Sequence, residues 1–146
     1  MNNSVDSAKP RIFSRFETEM QVRPDDIDMN QHVHNSRYFD YVLAARFDQM
    51  ERCYKMNMQE FIDHGYGWVV RTANIEYKRP LGLGDRFVVT TWIHEIYPDG
   101  VQVHFQISKK ESQKTCCEGY FNYTMINAKT GRGEKIPDWI VQKYSI

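Results

Sequence analysis

The chain has 146 residues, of which 41% are hydrophobic, 26% charged and 14% aromatic, a composition typical of one globular domain with a substantial core. Lys plus Arg and Asp plus Glu number 19 each, so the overall charge favours neither nucleic acid nor an anionic membrane, and an anionic ligand would need a local basic patch. Three cysteines without framework spacing, Cys53 and the adjacent pair Cys116 and Cys117, indicate reduced thiols and a cytoplasmic protein.

The beginning of the chain is polar and has no apolar central stretch, so we predict a loose tail over residues 1–12 and no signal peptide. One domain is predicted to fill residues 13–146, because repeats and internal linkers are absent from the sequence. The longest uninterrupted apolar run, Tyr41 to Ala45, is far shorter than a membrane span, so no membrane insertion is expected.

The first predicted element is a half-buried strand over residues 16–22, in which apolar and polar side chains alternate. A long helix follows, over roughly residues 36–54, and it is hydrophobic around most of its circumference. Arg46 falls at the centre of the apolar face of this helix. Because a buried guanidinium must be paired, we expect a carboxylate against Arg46, either as a structural ion pair or as part of a functional site.

The rest of the chain is predicted to be β-structure with a short helical turn at each end. One turn lies in QEFIDHGYG, strands follow at 68–79, 87–97, 101–107 and 115–126, and the second turn begins at Pro137. Apolar and polar residues alternate in the strand at 101–107, so one face of the sheet should be polar. A long buried helix beside one antiparallel sheet is an α+β arrangement in which the sheet wraps the central helix, as in the hot-dog fold.

The segment DDIDMNQHVHNS, between the first strand and the helix, contains more carboxylates, amides and imidazoles than a turn or a helix cap requires. This surplus favours catalysis. Asp28 can supply a carboxylate as nucleophile or general base, and the helix N-terminus can supply free N–H groups and a positive dipole.

Other uses of this segment compete with catalysis. Asp25 and Asp26 are explained as turn residues, His32 is either a turn histidine or part of the site, and the side chain of Asn35 or of Ser36 can cap the helix. A calcium loop is excluded because Gln and Arg stand where its central Gly and closing Glu are required. The sequence has no second ligand-rich stretch for zinc, so we predict no metal and no cofactor.

Two motifs, in this order, resemble the signatures of hot-dog thioesterases: DIDMNQHVHNSRYFDYVLAARFD and VRTANIEYKRPLGLGD. The resemblance is closest to bacterial long-chain acyl-CoA thioesterases, and DIDMNQHV also resembles plant acyl-carrier-protein thioesterases. It implies a catalytic acid at Asp28 and a carbonyl-polarising backbone N–H at Asn35. From the plant enzymes it also implies contributions from Asn30 and His32. Hydrolysis of a thioester needs a carboxylate near the carbonyl carbon, a positive dipole at the developing oxyanion, and shelter for the acyl chain, which the apolar helix face with Ile75, Tyr77 and Phe105 can provide.

The resemblance therefore predicts an acyl-thioester hydrolase that acts on fatty acyl-CoA and works as a homodimer, or as a tetramer of two dimers, because a second subunit supplies the other wall of each site. Lys78 and Arg79 are candidates to bind the phosphates of CoA or an acidic carrier protein; otherwise they are ordinary charges at a strand end. The alternatives are a thioesterase specific for acyl carrier protein and a non-catalytic acyl-thioester-binding module, which would not need Asp28 beside a helix terminus. A dehydratase of the same fold would use a His with an acid in a different motif.

Overall fold

The structure, a computed structural model, describes residues 12–146; residues 1–11 of the predicted tail lie outside the described residues. The elements in chain order are β1 (Arg15–Gln21), a 3-10 turn (Pro24–Asp26), α1 (Arg37–Arg52), α2 (Met58–Asp63), β2 (Tyr66–Tyr77), β3 (Arg86–Tyr97), β4 (Gly100–Lys109), β5 (Thr115–Asn127) and α3 (Asp138–Tyr144). The predicted strands and helices are confirmed, with their ends shifted by at most about two residues. Within residues 12–146, no helix is long and apolar enough to cross a membrane.

The five strands form one antiparallel sheet in the order β1-β3-β4-β5-β2, so β1 and β2 are its edges. Buried and half-buried positions alternate along β4, which confirms the prediction of an apolar and a polar face. At Gly119 of β5, a Cβ atom would overlap the carbonyl oxygen of Asn74 on β2. Only glycine therefore allows the edge strand β2 to approach β5 this closely.

Helix α1 packs along the apolar face of the sheet and forms the core with it. Val42 and Ala45 are fully buried, and aromatic rings join helix to strand: the centroids of Tyr41 and Phe87 are 4.8 Å apart. At this distance two rings interact favourably beyond the area that they bury. Fully burying one large apolar side chain contributes about 1.5–3 kcal/mol, so this interface fixes the position of α1 on the sheet.

The buried face of α1 differs from the face that its hydrophobic pattern predicts. Arg46 is 8% exposed, which confirms its predicted burial, but Gln49 is fully buried as well, whereas Leu43 and Phe47 are 43% and 56% exposed. Burial of Gln49 is tolerated because its amide donates to the Thr18 hydroxyl at 3.1 Å. The expectation of a carboxylate against Arg46 is wrong for the part of the chain that the structure describes, since none of its ion pairs includes this arginine.

Candidate active site

A tight turn holds the carboxylate of Asp28 in place. The Asp28 N–H donates to the His32 carbonyl at 2.8 Å, and Gln31, with a φ of 62°, donates back to the Asp28 carbonyl at 3.0 Å. Within this turn, Asp28 Oδ1 accepts the backbone N–H groups of Asn30 at 2.9 Å and His32 at 3.0 Å. Oδ2 makes no hydrogen bond to any residue within 12–146, so one oxygen fixes the side chain and the other is available for chemistry.

These two hydrogen bonds also set the charge of Asp28. The His32 N–H lowers the pKa of the carboxyl group, partial burial opposes this effect, and the Asn30 N–H lowers it further together with the charges of the nearby histidines. The net effect is a pKa below the ordinary value, because the two N–H groups bond to the ionised form. Asp28 is therefore an anion at neutral pH, which is the form that a nucleophile or a general base requires.

The start of α1 presents free N–H groups near this carboxylate. Ser36 is the N-cap residue, and its side chain makes no capping hydrogen bond. Among the described residues, the N–H of Asn35 has no partner, while the Asn35 carbonyl accepts a hydrogen bond from the Tyr77 hydroxyl at 2.9 Å. A helix N-terminus carries about half a positive charge, so this uncapped end can stabilise an oxyanion.

Asp26 anchors the segment that leads into α1, so its interpretation as a simple turn residue is wrong. The residue is only 1% exposed, and its Oδ2 accepts hydrogen bonds from the Tyr41 hydroxyl at 2.6 Å and Arg23 Nε at 3.1 Å. Arg37 Nε lies 3.5 Å from Oδ1, and the His34 N–H donates to the Asp26 carbonyl at 3.0 Å. A buried carboxylate is stable only when it is paired in this way. The i,i+3 spacing of Arg23 and Asp26 was the one local signal of this role.

Most of the predicted site residues meet at one open cavity of about 270 Å³. Asp28, His32 and Asn35 line it, together with Lys78 and Arg79 from the segment that follows β2. The remaining lining residues are Val33, Tyr38, Tyr77 and Pro80.

The other predicted residues differ in whether they line this cavity. Asn30 does not line the cavity and reaches it only through its N–H bond to Asp28. Of the predicted acyl-chain walls, Tyr77 lines this cavity, whereas Phe105 is part of the central core. Sequence reasoning missed the position of Tyr38, whose hydroxyl accepts the Leu81 N–H at 2.9 Å and so joins α1 to the segment after β2.

The two basic candidates have different surroundings. Lys78 Nζ lies 2.7 Å from Glu118, and this partner raises the pKa of the amine. Arg79 donates to the Thr115 carbonyl at 3.1 Å and borders both the Asp28 cavity and a second cavity of about 510 Å³. Three further basic residues surround that second cavity: Arg86, Lys109 and Lys114. Asp85 and Glu111 line it as well, so the surface beside Arg79 has mixed charge with an excess of basic residues.

Comparison with known proteins gives consistent results. The model of the thioesterase-like superfamily matches residues 22–144. The long-chain acyl-CoA thioesterase FadM of Escherichia coli is 26% identical over 115 residues, which is 79% of this chain and 86% of that enzyme. The chloroplastic acyl-[acyl-carrier-protein] hydrolase FATB3 of Cuphea viscosissima is 36% identical over 76 residues, which is 52% of this chain but only 18% of the plant protein. Among solved structures, this chain superimposes on the crystal structure of Slr0204, a 1,4-dihydroxy-2-naphthoyl-CoA thioesterase from Synechocystis, with a TM-score of 0.81. The two are 20% identical, and the match covers 90% of this chain and 96% of that one. This similarity confirms the predicted hot-dog fold.

Proposed function

Because the chain belongs to the thioesterase-like superfamily and is a thioester hydrolase, we propose that it hydrolyses fatty acyl-CoA with Asp28 as the reacting carboxylate. The observation that carries this proposal is an ionised carboxylate with one free oxygen, which shares a cavity with the uncapped N-terminus of α1. A module that only binds acyl thioesters would need the apolar shelter but not this combination.

The proposed reaction uses groups that the fold already orients. Asp28 Oδ2 either attacks the carbonyl carbon of the thioester or removes a proton from a water molecule that attacks it. The carbonyl oxygen becomes an oxyanion that accepts the Asn35 N–H, and its collapse breaks the C–S bond and releases the thiolate of CoA. If Asp28 attacks directly, water then hydrolyses the acyl anhydride and regenerates the carboxylate.

Asn30 and His32 have supporting roles in this proposal. Both hold Asp28 Oδ1 through backbone N–H groups, so Asn30 is a positioning residue that does not touch the substrate. The side chain of His32 lines the cavity, and we assign it to contact with the thioester.

The test of the mechanism is the substitution Asp28→Asn. The amide keeps an oxygen that can accept the two turn N–H groups, so the turn persists while the anionic oxygen is lost. We expect kcat/KM for dodecanoyl-CoA to fall at least about 100-fold, the lower range for removal of a general base. Asp25→Asn, which removes an exposed carboxylate outside the cavity, is the matched control and should keep the parent activity. A folded Asp28→Asn protein within a few-fold of the parent would exclude Asp28 as the reacting group.

The choice of fatty acyl-CoA as substrate has two sources of support. FadM, which is named for long-chain acyl-CoA, is similar to this chain over most of the length of both proteins. Arg79 and the basic surface beside it suit the phosphates of CoA, and the exposed ion pair of Lys78 with Glu118 is weak enough to exchange for a phosphate. An acidic acyl carrier protein is the alternative occupant of the same surface.

We propose a homodimer as the working unit, with assembly of two dimers into a tetramer as a further step. Strand β2 is a sheet edge whose residues 70–74 are all exposed, and an edge of this kind needs a partner or a cover. Pairing of β2 with β2 of a second subunit would place a new wall over the open Asp28 cavity. Such an interface would obey two-fold symmetry.

The three cysteines support a cytoplasmic location. All are free, and Cys116 and Cys117 are buried in the core. Burial raises the pKa of Cys117 to about 12, so this thiol is protonated and inert. Unpaired buried thiols are usual in a reducing compartment.

A further inference from the structure

A tight turn leads into α1, and its middle peptide group joins Asn35 to Ser36. The Arg37 N–H donates to the His34 carbonyl at 2.9 Å and closes the turn. Ser36 has a φ of −66° and a ψ of −21°, close to the values of a type I turn, whereas a type II turn needs a positive φ at this position. The two types differ by rotation of the middle peptide, so the geometry of the turn depends on what holds that peptide.

Tyr77 holds this middle peptide from a distant strand. It is the last residue of β2, and its hydroxyl donates to the Asn35 carbonyl at 2.9 Å. Burial raises the pKa of Tyr77, so the hydroxyl keeps its proton at neutral pH and remains a donor. The hydrogen bond restrains the peptide and also covers a carbonyl oxygen that belongs to a residue of the Asp28 cavity.

The side chain of Tyr77 is itself fixed by packing. Its ring meets the ring of Tyr38 edge to face, with the centroids 5.4 Å apart. Tyr38 is 2% exposed, and its hydroxyl accepts the Leu81 N–H at 2.9 Å. The backbone of Tyr77 is paired with Cys117 of β5. Ring packing and strand pairing thus determine the position of the hydroxyl that restrains Asn35.

We propose that Tyr77 is a positioning residue for the hydrolysis, which keeps the Asn35 N–H directed at the carbonyl oxygen of the bound thioester. This inference rests on the proposed function, in which that N–H stabilises the oxyanion. Such a donor is effective because it is oriented before the reaction, about 2.7–3.1 Å from the place where the negative charge develops. Without the Tyr77 hydroxyl, the middle peptide of the turn is free to rotate, and the Asn35 carbonyl oxygen can then face this charge. The loss falls on the transition state more than on the bound substrate.

The kinetic test is the substitution Tyr77→Phe, which removes the hydroxyl and keeps the ring. We expect kcat for dodecanoyl-CoA to fall about three- to tenfold, the range for one neutral hydrogen bond, while KM stays within about twofold. Tyr66→Phe is the matched control, because Tyr66 is the first residue of the same strand and its hydroxyl makes no hydrogen bond among the described residues. This control should keep the kcat and KM of the parent. A Tyr77→Phe protein with the kcat of the parent would overturn the inference.

An infrared measurement separates positioning of the donor from a contribution to stability. The probe is an analogue of dodecanoyl-CoA in which a methylene group replaces the thioester sulfur, isotopically labelled at the resulting ketone, so that it binds but is not cleaved. An oriented N–H donor lowers the stretching frequency of the carbonyl that it polarises. The frequency should fall when the analogue binds to the parent or to Tyr66→Phe, and it should fall less with Tyr77→Phe. Only analogue bound to folded protein gives this signal, so a loss of stability alone leaves the frequency unchanged.

The two measurements also separate this inference from the reaction at Asp28. An equal carbonyl frequency in Tyr77→Phe and the parent would overturn the positioning role even if kcat had fallen, and so would a carbonyl that binding to the parent leaves unshifted. The infrared measurement breaks no bond, so it does not depend on which group reacts with the thioester. An active Asp28→Asn protein would refute the reaction at Asp28 and leave the expected difference between Tyr77→Phe and the parent intact.

Discussion

The substitution Tyr41→Phe isolates the anchor beneath the start of α1. It removes only the hydroxyl that donates to Asp26 Oδ2 at 2.6 Å and leaves the ring, whose centroid is 4.8 Å from that of Phe87. A hydrogen bond to a charged group contributes about 1.5–3 kcal/mol. Because Arg23 and Arg37 still face the carboxylate, Asp26 would not be left unpaired. We therefore expect the free energy of unfolding to fall by an amount at the lower end of this range, about 1.5–2 kcal/mol.

The loss should depend on pH in a defined direction. Burial opposes ionisation of Asp26, but the hydrogen bonds from Tyr41 and Arg23 and the charges of the two arginines outweigh it, so the pKa of Asp26 is lowered. A carboxyl group with a lowered folded-state pKa contributes stability above its unfolded-state pKa of about 3.9, and that stability is lost as pH falls through the folded-state value. The difference between Tyr41→Phe and the parent should therefore be full at pH 7 and shrink on acidification below about pH 4.

Urea unfolding followed by circular dichroism, at one protein concentration, measures this difference. Tyr120→Phe is the matched control, because this tyrosine lies on the polar face of the sheet and its hydroxyl makes no hydrogen bond in the described part of the chain. Its effect should stay within about 0.5 kcal/mol. A loss for Tyr41→Phe below about 0.5 kcal/mol at pH 7, or a loss that persists undiminished in acid while the protein remains folded, would refute the role of the Asp26 anchor.

Three further predictions concern activity and assembly. The kcat/KM for saturated acyl-CoA should rise from acetyl to dodecanoyl, since each buried CH₂ can add about 0.8 kcal/mol until the site is filled; a flat or falling series would point to aromatic or polar substrates. Because the pKa of Asp28 is lowered, kcat/KM should stay constant from pH 7 to about pH 5, where even a carboxyl group of ordinary pKa remains ionised. A fall in kcat/KM centred near about pH 6.5 would implicate a histidine instead. Light scattering at micromolar concentration should give at least a dimer, and a fully active monomer would contradict a site built from two chains.

Elements of this fold follow from local patterns that the sequence displays directly. The alternation of apolar and polar residues over 101–107 and the apolar stretch after residue 36 indicate which side of the strand or helix is buried. These spacings are the same in any protein in which one side of the element faces the core. The place of Asp28 a few residues before α1 is equally local, because it is a matter of sequence spacing, and the hydrogen bonds that hold its side chain come from within five residues. For this reason the elements and the position of the candidate carboxylate could be predicted without the fold.

Features that depend on distant parts of the chain could not be predicted in this way. Asp26 and Tyr41 are 15 residues apart, and Tyr77 reaches the Asn35 carbonyl across 42 residues. Neither partner is marked in the sequence, because a hydrogen bond of this kind exists only after α1 has docked on the sheet and β2 has paired with β5. The helical pattern predicted the burial of Arg46 correctly but not its surroundings, for the same reason: a pattern shows which residues share a face, but not which groups the sheet places opposite them.

The order of the elements, the α+β class and the carboxylate beside a helix N-terminus were predictable from the amino-acid sequence, since each is a property of neighbouring residues. Three features emerge only in the folded protein: Asp26 is a buried anchor, Arg79 borders two cavities, and Arg46 faces an apolar cavity without a carboxylate partner in the described chain. The free energy of a buried charge depends on every group within a few ångströms, and those groups come from segments that the chain brings together only when it folds.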